Sequence, residues 1–344
     1  VILYHSATIY RLAGIDGFQE ARGTRMPDDV NDDFNDDPLV GTVMAKKFEL
    51  LSVVEYGTTT NVYKARHTER NFNVAFKIMN DEAAHHPDSA KRFYQDVKAL
   101  AKVDHPGVVS IYDIGQQAHI KPYVVEDYIS GLTLNQAIEF ECPLRLERFF
   151  NIFEQLTDAI SAVHKKGITP RTVRPSKIML VQDDDDNEYA IIISFGGAHV
   201  KGLVKEESAA AADESQAPEY MSPEECIKGI IDARSNIYSI GCMMYEALTG
   251  EIPFYGNTFY ETAQKHINEP VPRLLPRLTG LPAADKIEAM VFKALRKRPE
   301  ERFQTAQEVH DAVLFVREAA GMGGVRKPSP SGWVSKVKNI LKRG

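Results

Sequence analysis

The sequence predicts an α+β protein of two lobes, a small antiparallel sheet with one long helix followed by a larger, mainly helical part. Three observations lead there. Between Phe48 and Met79, short runs rich in Val, Phe and Ile are separated by Gly, Thr, Asn and charges, as antiparallel strands are. Residues 90–103 carry apolar side chains at helical spacing, and beyond Gly131 helical patterns dominate.

Taken in order, residues 1–46 read as an extension. Residues 1–12 suit a short strand but lack the basic start and long apolar core of a signal peptide. Residues 28–37 hold six carboxylates without the glycine and terminal glutamate of a calcium loop, so they read as a solvated, self-repelling linker. Strands follow at 48–54, 61–65 and 73–79. A helix over 90–103 places Phe93, Val97, Leu100 and Ala101 on one face, and strands at 108–114 and 121–129 complete the small lobe. Helices are expected at 146–165, 233–248, 284–294 and 305–320. Between them, 178–181 and 189–193 form a hairpin around the acidic turn 183–186.

Composition narrows the function classes. The 344 residues are 43 % hydrophobic and 26 % charged, which excludes wholesale disorder. A net charge of −7 argues against a nucleic-acid coat, and no partner of that class is expected. No apolar stretch approaches the ~18–20 residues of a membrane span. Cys142, Cys226 and Cys242 are far apart and in no metal-ligand spacing, which favours a reducing cytoplasm over a disulfide framework.

Seven segments carry a further signal: Val74-Ala75-Phe76-Lys77, His105-Pro106-Gly107-Val108-Val109, Pro170-Arg171-Thr172-Val173-Arg174-Pro175-Ser176-Lys177, Ser194-Phe195-Gly196, Pro218-Glu219-Tyr220-Met221-Ser222-Pro223-Glu224, Ser239-Ile240-Gly241, and Arg298-Pro299-Glu300-Glu301-Arg302-Phe303. In this order and spacing they resemble the eukaryotic-type (Hanks-type) protein kinase superfamily, most closely its bacterial Ser/Thr branch. The resemblance implies a kinase-like domain over 47–318, with a small lobe at 47–129, a large lobe at 130–318 and a tail at 319–344.

The same resemblance exposes departures from the active pattern. The catalytic aspartate position is Thr172, whose hydroxyl cannot accept a proton at neutral pH. The lysine two residues on is Arg174. The metal-holding asparagine is Lys177, a cation that repels magnesium, and the aspartate of D-F-G is Ser194. Of the three glycines of the phosphate-covering loop only Gly57 remains, with Glu55 and Thr60 at the other two positions. The vestigial nucleotide pocket then comprises Gly57, Val62, Ala75, Lys77, Asp96, Glu126 and Met179. Asp96 takes the position of the C-helix partner of Lys77, and Glu126 stands at the back of the adenine pocket. Packing positions are kept: Leu100, Ile111, Pro170 and Phe195 in one internal column, Val62, Ala75 and Met179 in the other, and Glu224 with Arg302 as a buried ion pair. Asn236 replaces the aspartate that anchors the catalytic loop, with its amide oxygen expected to accept one bond.

The expectation is a catalytically impaired, kinase-like module (pseudokinase) acting as a signalling scaffold or allosteric partner. An atypical Ser/Thr kinase or nucleotide transferase using 183–186 and Asp213 as spare acids is the alternative. No cofactor is expected: ATP binding is weak or absent and magnesium is disfavoured. Lys77 reads either as a vestigial phosphate ligand or as half of a structural ion pair, and a Lys77–Glu126 contact is expected with Asp96 as a competing carboxylate. Arg171 could take a phosphate from Ser208 or Ser215, or an acidic contact from Asp213 or Glu214. Cys226 and Cys242 read as packing residues, and His105 as a turn histidine. In the tail, Trp333, Val334, Val337, Ile340 and Leu341 share one face opposite lysines, suited over 333–343 to an anionic membrane or a partner groove. Protein partners such as an active kinase or a receptor complex are expected. So is a cytoplasmic location, membrane-associated if the chain belongs to a longer protein.

Overall fold

Every neighbouring pair of strands in the small lobe is antiparallel, and their alternation decides what faces the cleft. The structure, a computed structural model, describes residues 37–57, 59–84, 87–117, 121–171, 173–183, 187–195, 198–200 and 218–323. Thr172, residues 184–186, the segment 201–217 with Ser208, Asp213, Glu214 and Ser215, and the tail from 324 lie outside them. The small lobe contains β1 (Val43–Met44), β2 (Phe48–Tyr56), β3 (Thr60–His67), β4 (Asn73–Met79), α1 (Asp81–Ala84), α2 (Pro87–Leu100), β5 (Ile111–Gln117) and β6 (Lys121–Asp127). The sheet order is β1-β2-β3-β4-β6-β5. Along β4, Val74, Phe76 and Ile78 join Leu50, Tyr63, Tyr123 and Val125 in one apolar cluster. The two-residue period therefore sends Ala75, Lys77 and Met79 to the opposite face.

Several boundaries differ from the sequence reading. The packed sheet begins ahead of position 47. Leu39, Val40 and Met44 cover the small-lobe cluster, and Gly41 N and Leu50 N donate to Leu50 O and Thr42 O at 2.8 and 2.9 Å. In α2, Val97 and Leu100 are buried, whereas Ala101 lies past the helix end and is exposed. The strand expected from 108 begins only at Ile111. Val108 instead bridges Ile192 in parallel, and Val109 N donates to Ile192 O at 3.0 Å, tying this stretch to the large lobe.

The large lobe comprises β7 (Leu132–Thr133), α3 (Leu134–Phe140), α4 (Leu146–Lys165), β8 (Ile168–Pro170), a 3₁₀ turn (Pro175–Lys177), β9 (Ile178–Gln182), β10 (Glu188–Ile192), β11 (Ala198–Val200), α5 (Pro223–Cys226), α6 (Ala233–Thr249), α7 (Phe259–Asn268), α8 (Ala284–Ala294) and α9 (Ala306–Ala319). The β9–β10 hairpin is antiparallel as expected, and β7 pairs with β9 at its other edge. Asp183 closes the hairpin turn, accepting from Asn187 N at 2.9 Å and Tyr189 Oη at 2.8 Å. Helices α4 and α6 form the core. Phe149, Phe150, Phe153, Leu156 and Ile160 of α4 are fully buried, and α6 is buried from Ser235 to Thr249. Gly241 permits the close approach of α8: a Cβ there would stand 3.0 Å from Ala294 Cβ and Leu295 Cγ.

Helices α3 and α7 escaped the periodicity reading because they are only 7 and 10 residues long. Their starts are nevertheless written in the sequence. Thr133 caps Gln136 N, Gln136 reciprocates at Thr133 N, and Thr258 caps Glu261 N. No helix among the described residues is long and apolar enough to cross a membrane.

Candidate functional site

Sheet register brings the first two site residues together. Ala75 pairs with Glu126 and Lys77 with Val124, so Lys77 and Glu126 are diagonal neighbours on the face turned away from the small-lobe cluster. They form an ion pair, with Lys77 only 16 % and Glu126 only 4 % exposed. Burial holds the Glu126 carboxyl above the usual carboxylate range, against the opposing pull of the Lys77 ammonium. Lys77 Nζ also donates to Ile193 O at 3.2 Å, and this carbonyl belongs to the segment leading from β10 to Ser194. Asp96 stands half-buried on α2. Val62 and Met179 are half-buried and Ala75 is buried.

Gly57 closes the turn between β2 and β3, its N–H donating to Thr60 O at 3.0 Å. A Cβ at Gly57 would sit 2.6 Å from that oxygen, so the turn itself requires glycine. Asn80 then pins the loop from behind, its Nδ2 donating to Gly57 O at 3.0 Å. Glu55, one strand residue ahead of the turn's entrance, is exposed and pairs with Val62.

The opposite wall is the loop after β8. Arg174 precedes the 3₁₀ turn, whose first residue is Pro175, and Lys177 N donates to Arg174 O at 3.0 Å. Ile193 N in turn donates to Lys177 O at 3.0 Å. The single residue Ile193 therefore links Lys77 through its carbonyl and Lys177 through its amide. Burial pulls the Lys177 ammonium below the usual lysine range; Glu55 and Glu126 support its charge, while Lys77 and Arg174 oppose it. Ser194 is half-buried next to this bridge. Thr172 lies outside the described residues. Among those residues, no three His, Cys, Asp or Glu side chains group as a metal-binding set.

Asn236 accepts one bond through its amide oxygen, as expected, but from the His164 side chain, and it anchors the loop backbone through its amide nitrogen. Its Nδ2 donates to Pro170 O at 2.7 Å, and its Oδ1 faces His164 Nε2 at 2.9 Å. Pro170 has no N–H to offer from its own residue, so an amide donor serves its carbonyl where a carboxylate could not. The packing frame is intact. Leu100 and Phe195 lie in the large core cluster, and Ile111 packs against it. Arg302 makes two bonds of 2.7 Å to Glu224 and donates to Arg234 O, Lys297 O and Arg296 O. All five of its N–H groups are thus used. His105 accepts from Gly107 N at 3.0 Å, which makes it a turn histidine. Burial pushes the Cys226 thiol up to about 12 and the Cys242 thiol higher still, so both are inert packing groups.

Sequence reasoning missed the Ile193 peptide and the Asn80 clasp. Backbone bridges leave no residue-type signal, and Asn80 follows β4 like any ordinary turn residue.

Comparison with known proteins agrees with this frame. The protein kinase domain family matches residues 48–315. Serine/threonine-protein kinase PknB of Mycobacterium tuberculosis is 33 % identical over 280 residues, covering 79 % of this chain and 43 % of PknB. PrkC of Bacillus subtilis is 30 % identical over 286 residues, covering 82 % of this chain and 42 % of PrkC. The chain thus spans less than half the length of these curated relatives. The crystal structure of the Mycobacterium tuberculosis PknI kinase domain superposes with a TM-score of 0.61 at 18 % identity, covering 82 % of this chain and 98 % of that one, a likeness of fold. With the family matched from the first long strand to the last helix, the chain belongs to the protein kinase family and is related to the bacterial Ser/Thr kinases.

Proposed function

We propose that this domain is a kinase-shaped binding or allosteric module that does not transfer phosphoryl groups. The observation that carries the reading is Lys177. Where the family holds a metal ion with asparagine, this chain sets an ammonium, with Lys77 and Arg174 as further cations beside it and Glu55 and Glu126 as the carboxylates that support it. Like charges at this spot disfavour a divalent cation, and phosphoryl transfer depends on that cation to neutralise developing charge. Ser194 and Thr172, in place of the two aspartates, support the same conclusion. These residues do not fit a magnesium–ATP complex, and no step through one is derived. Lys77 acts instead as half of an ion pair that joins the sheet to the Ile193 segment.

In this reading the domain works through a protein partner, an active kinase or a receptor complex, on the cytoplasmic side. The basic tail over 333–343 serves as a contact to anionic membrane. The test is radiolabelled phosphate transfer from ATP with magnesium or manganese, to the chain itself and to a generic basic protein. The control is the Lys77→Met/Glu126→Met double variant, which strands neither charge. Incorporation equal in parent and control is expected. Incorporation by the parent that the control loses would overturn the proposal.

A further inference from the structure

Helix α9 turns an acidic face with an aromatic centre to solvent. At about 100° per residue, its exposed side chains Glu308, Asp311, Phe315, Glu318 and Ala319 fall within an arc of about 100°. Phe315 is 63 % exposed in the middle of this stripe, with Ala312 half-buried beside it. No lysine or arginine stands on the stripe. The one cation of the last turn, Arg317, points into the lobe, its guanidinium held by Glu154 at 2.7 Å and Asn151 at 2.8 Å. Glu318 adds its charge at the helix C-terminus, where the macrodipole is already negative. The chain that follows carries the opposite sign. Residues 326–343 hold six cations and no acid, and Trp333, Val334, Val337, Ile340 and Leu341 share one helical face.

We propose that the outer face of α9 is the docking site for the chain's own segment 333–343. Its cations meet Glu308, Asp311 and Glu318, and its apolar stripe covers Phe315, an amphipathic segment laid on a helix face. The lengths agree. As a helix, 333–343 would be about 16 Å long, against about 15 Å from Glu308 to Glu318. The Gly-, Pro- and Ser-containing stretch 324–332 spans about 30 Å when extended, more than the roughly 21 Å of α9, so the segment can return along it. Tethering gives the segment a roughly millimolar effective concentration, so a weak contact suffices to fill the site. A helix this short is marginal alone, and the docked face supplies what it lacks. The inference goes beyond the membrane contact proposed for the tail: the same cations serve both, and α9 holds them when no membrane is present. It stands whether or not the domain transfers phosphate.

Trp333 is the only tryptophan of the chain and reports on the site directly. The experiment records its emission and its quenching by acrylamide in the full chain, without lipid, against the free peptide 324–344. Blue-shifted emission and several-fold weaker quenching are expected in the full chain. Both should diminish in about 1 M salt, which screens charges beyond roughly 3 Å. The Asp311→Lys/Glu318→Lys variant should lose the protection, as should Lys336→Glu/Lys338→Glu, and the four substitutions together should restore it. Phe315→Ser should weaken it. The substituted α9 side chains are all exposed, so folded protein is expected, and unchanged circular dichroism checks it. Emission like that of the peptide would overturn the proposal. So would protection that the α9 variants keep, which puts the tail elsewhere, or a charge swap that restores nothing. Protection that falls on dilution would also overturn it, giving the site to the tail of a second copy. Co-sedimentation with phosphatidylserine vesicles reads the membrane contact, so its failure and the failure of this site are separate results.

Discussion

Lys77 and Glu126 make the sharpest energetic statement at the scale of single residues. A buried ion pair loses several kcal/mol when one partner is deleted, because the other charge is stranded, whereas deleting both leaves an apolar contact. Lys77→Met and Glu126→Met should each cost about 3–5 kcal/mol, and the double variant clearly less than their sum; additive urea-unfolding losses would contradict the pairing. Glu225 provides a pH test. Burial pushes its carboxyl up from 4.5 to about 7, against the bond it accepts from Ser222 N at 2.7 Å. A raised value means that the fold favours the protonated acid. Its contribution is therefore full below about pH 4.5 and lost as pH rises through 7, a difference of roughly 3 kcal/mol. Glu225→Gln keeps the acceptor without the charge. The stability of this variant relative to the parent should climb between pH 5 and 8, and a pH-independent difference would refute the assignment. The Lys77–Glu126 contact was legible from alternation and motif position together. Glu225 was not, since nothing in the sequence says how deeply a capping glutamate is buried.

Among elements, the link between β8 and α6 carries the most information. Asn236 donates to Pro170 O, so restoring the family's aspartate would set a carboxylate against a carbonyl 2.7 Å away. Asn236→Asp should destabilise by about 1–3 kcal/mol. Urea midpoints at pH 8 check it, where His164, its own pKa lowered by burial, is neutral. An aspartate that stabilises would mean that the loop's bonds run the other way. The long helices α4 and α8 stood at their expected bounds because an apolar stripe over 20 or 11 residues leaves little freedom. The short ones were signalled only by their caps. The stretch at Val108 was misread as strand because β-branched residues suit any pleated contact, and here the contact is a single bridge to Ile192.

Across the whole molecule, packing and chemistry diverge. Phe195, Gly241, Glu224 and Arg302 keep the two-lobed frame closely packed and its buried charges satisfied. The cleft, in contrast, is crossed by Lys77 to Ile193, and Lys177 stands there among Glu55, Lys77, Arg174 and Glu126. Motif order made the frame legible, and residue identity made the departures from the family's catalytic pattern legible. The bridging role of Ile193 could come only from three-dimensional placement. The most direct measurement is the thermal shift of the full chain with millimolar ATP and magnesium in excess over it. A ligand confined to the folded state raises stability by RT ln(1 + [L]/Kd), about 2.7 kcal/mol at a hundredfold excess over Kd. A cleft that excludes the metal–nucleotide complex predicts almost no shift. A rise of several degrees in Tm would contradict it.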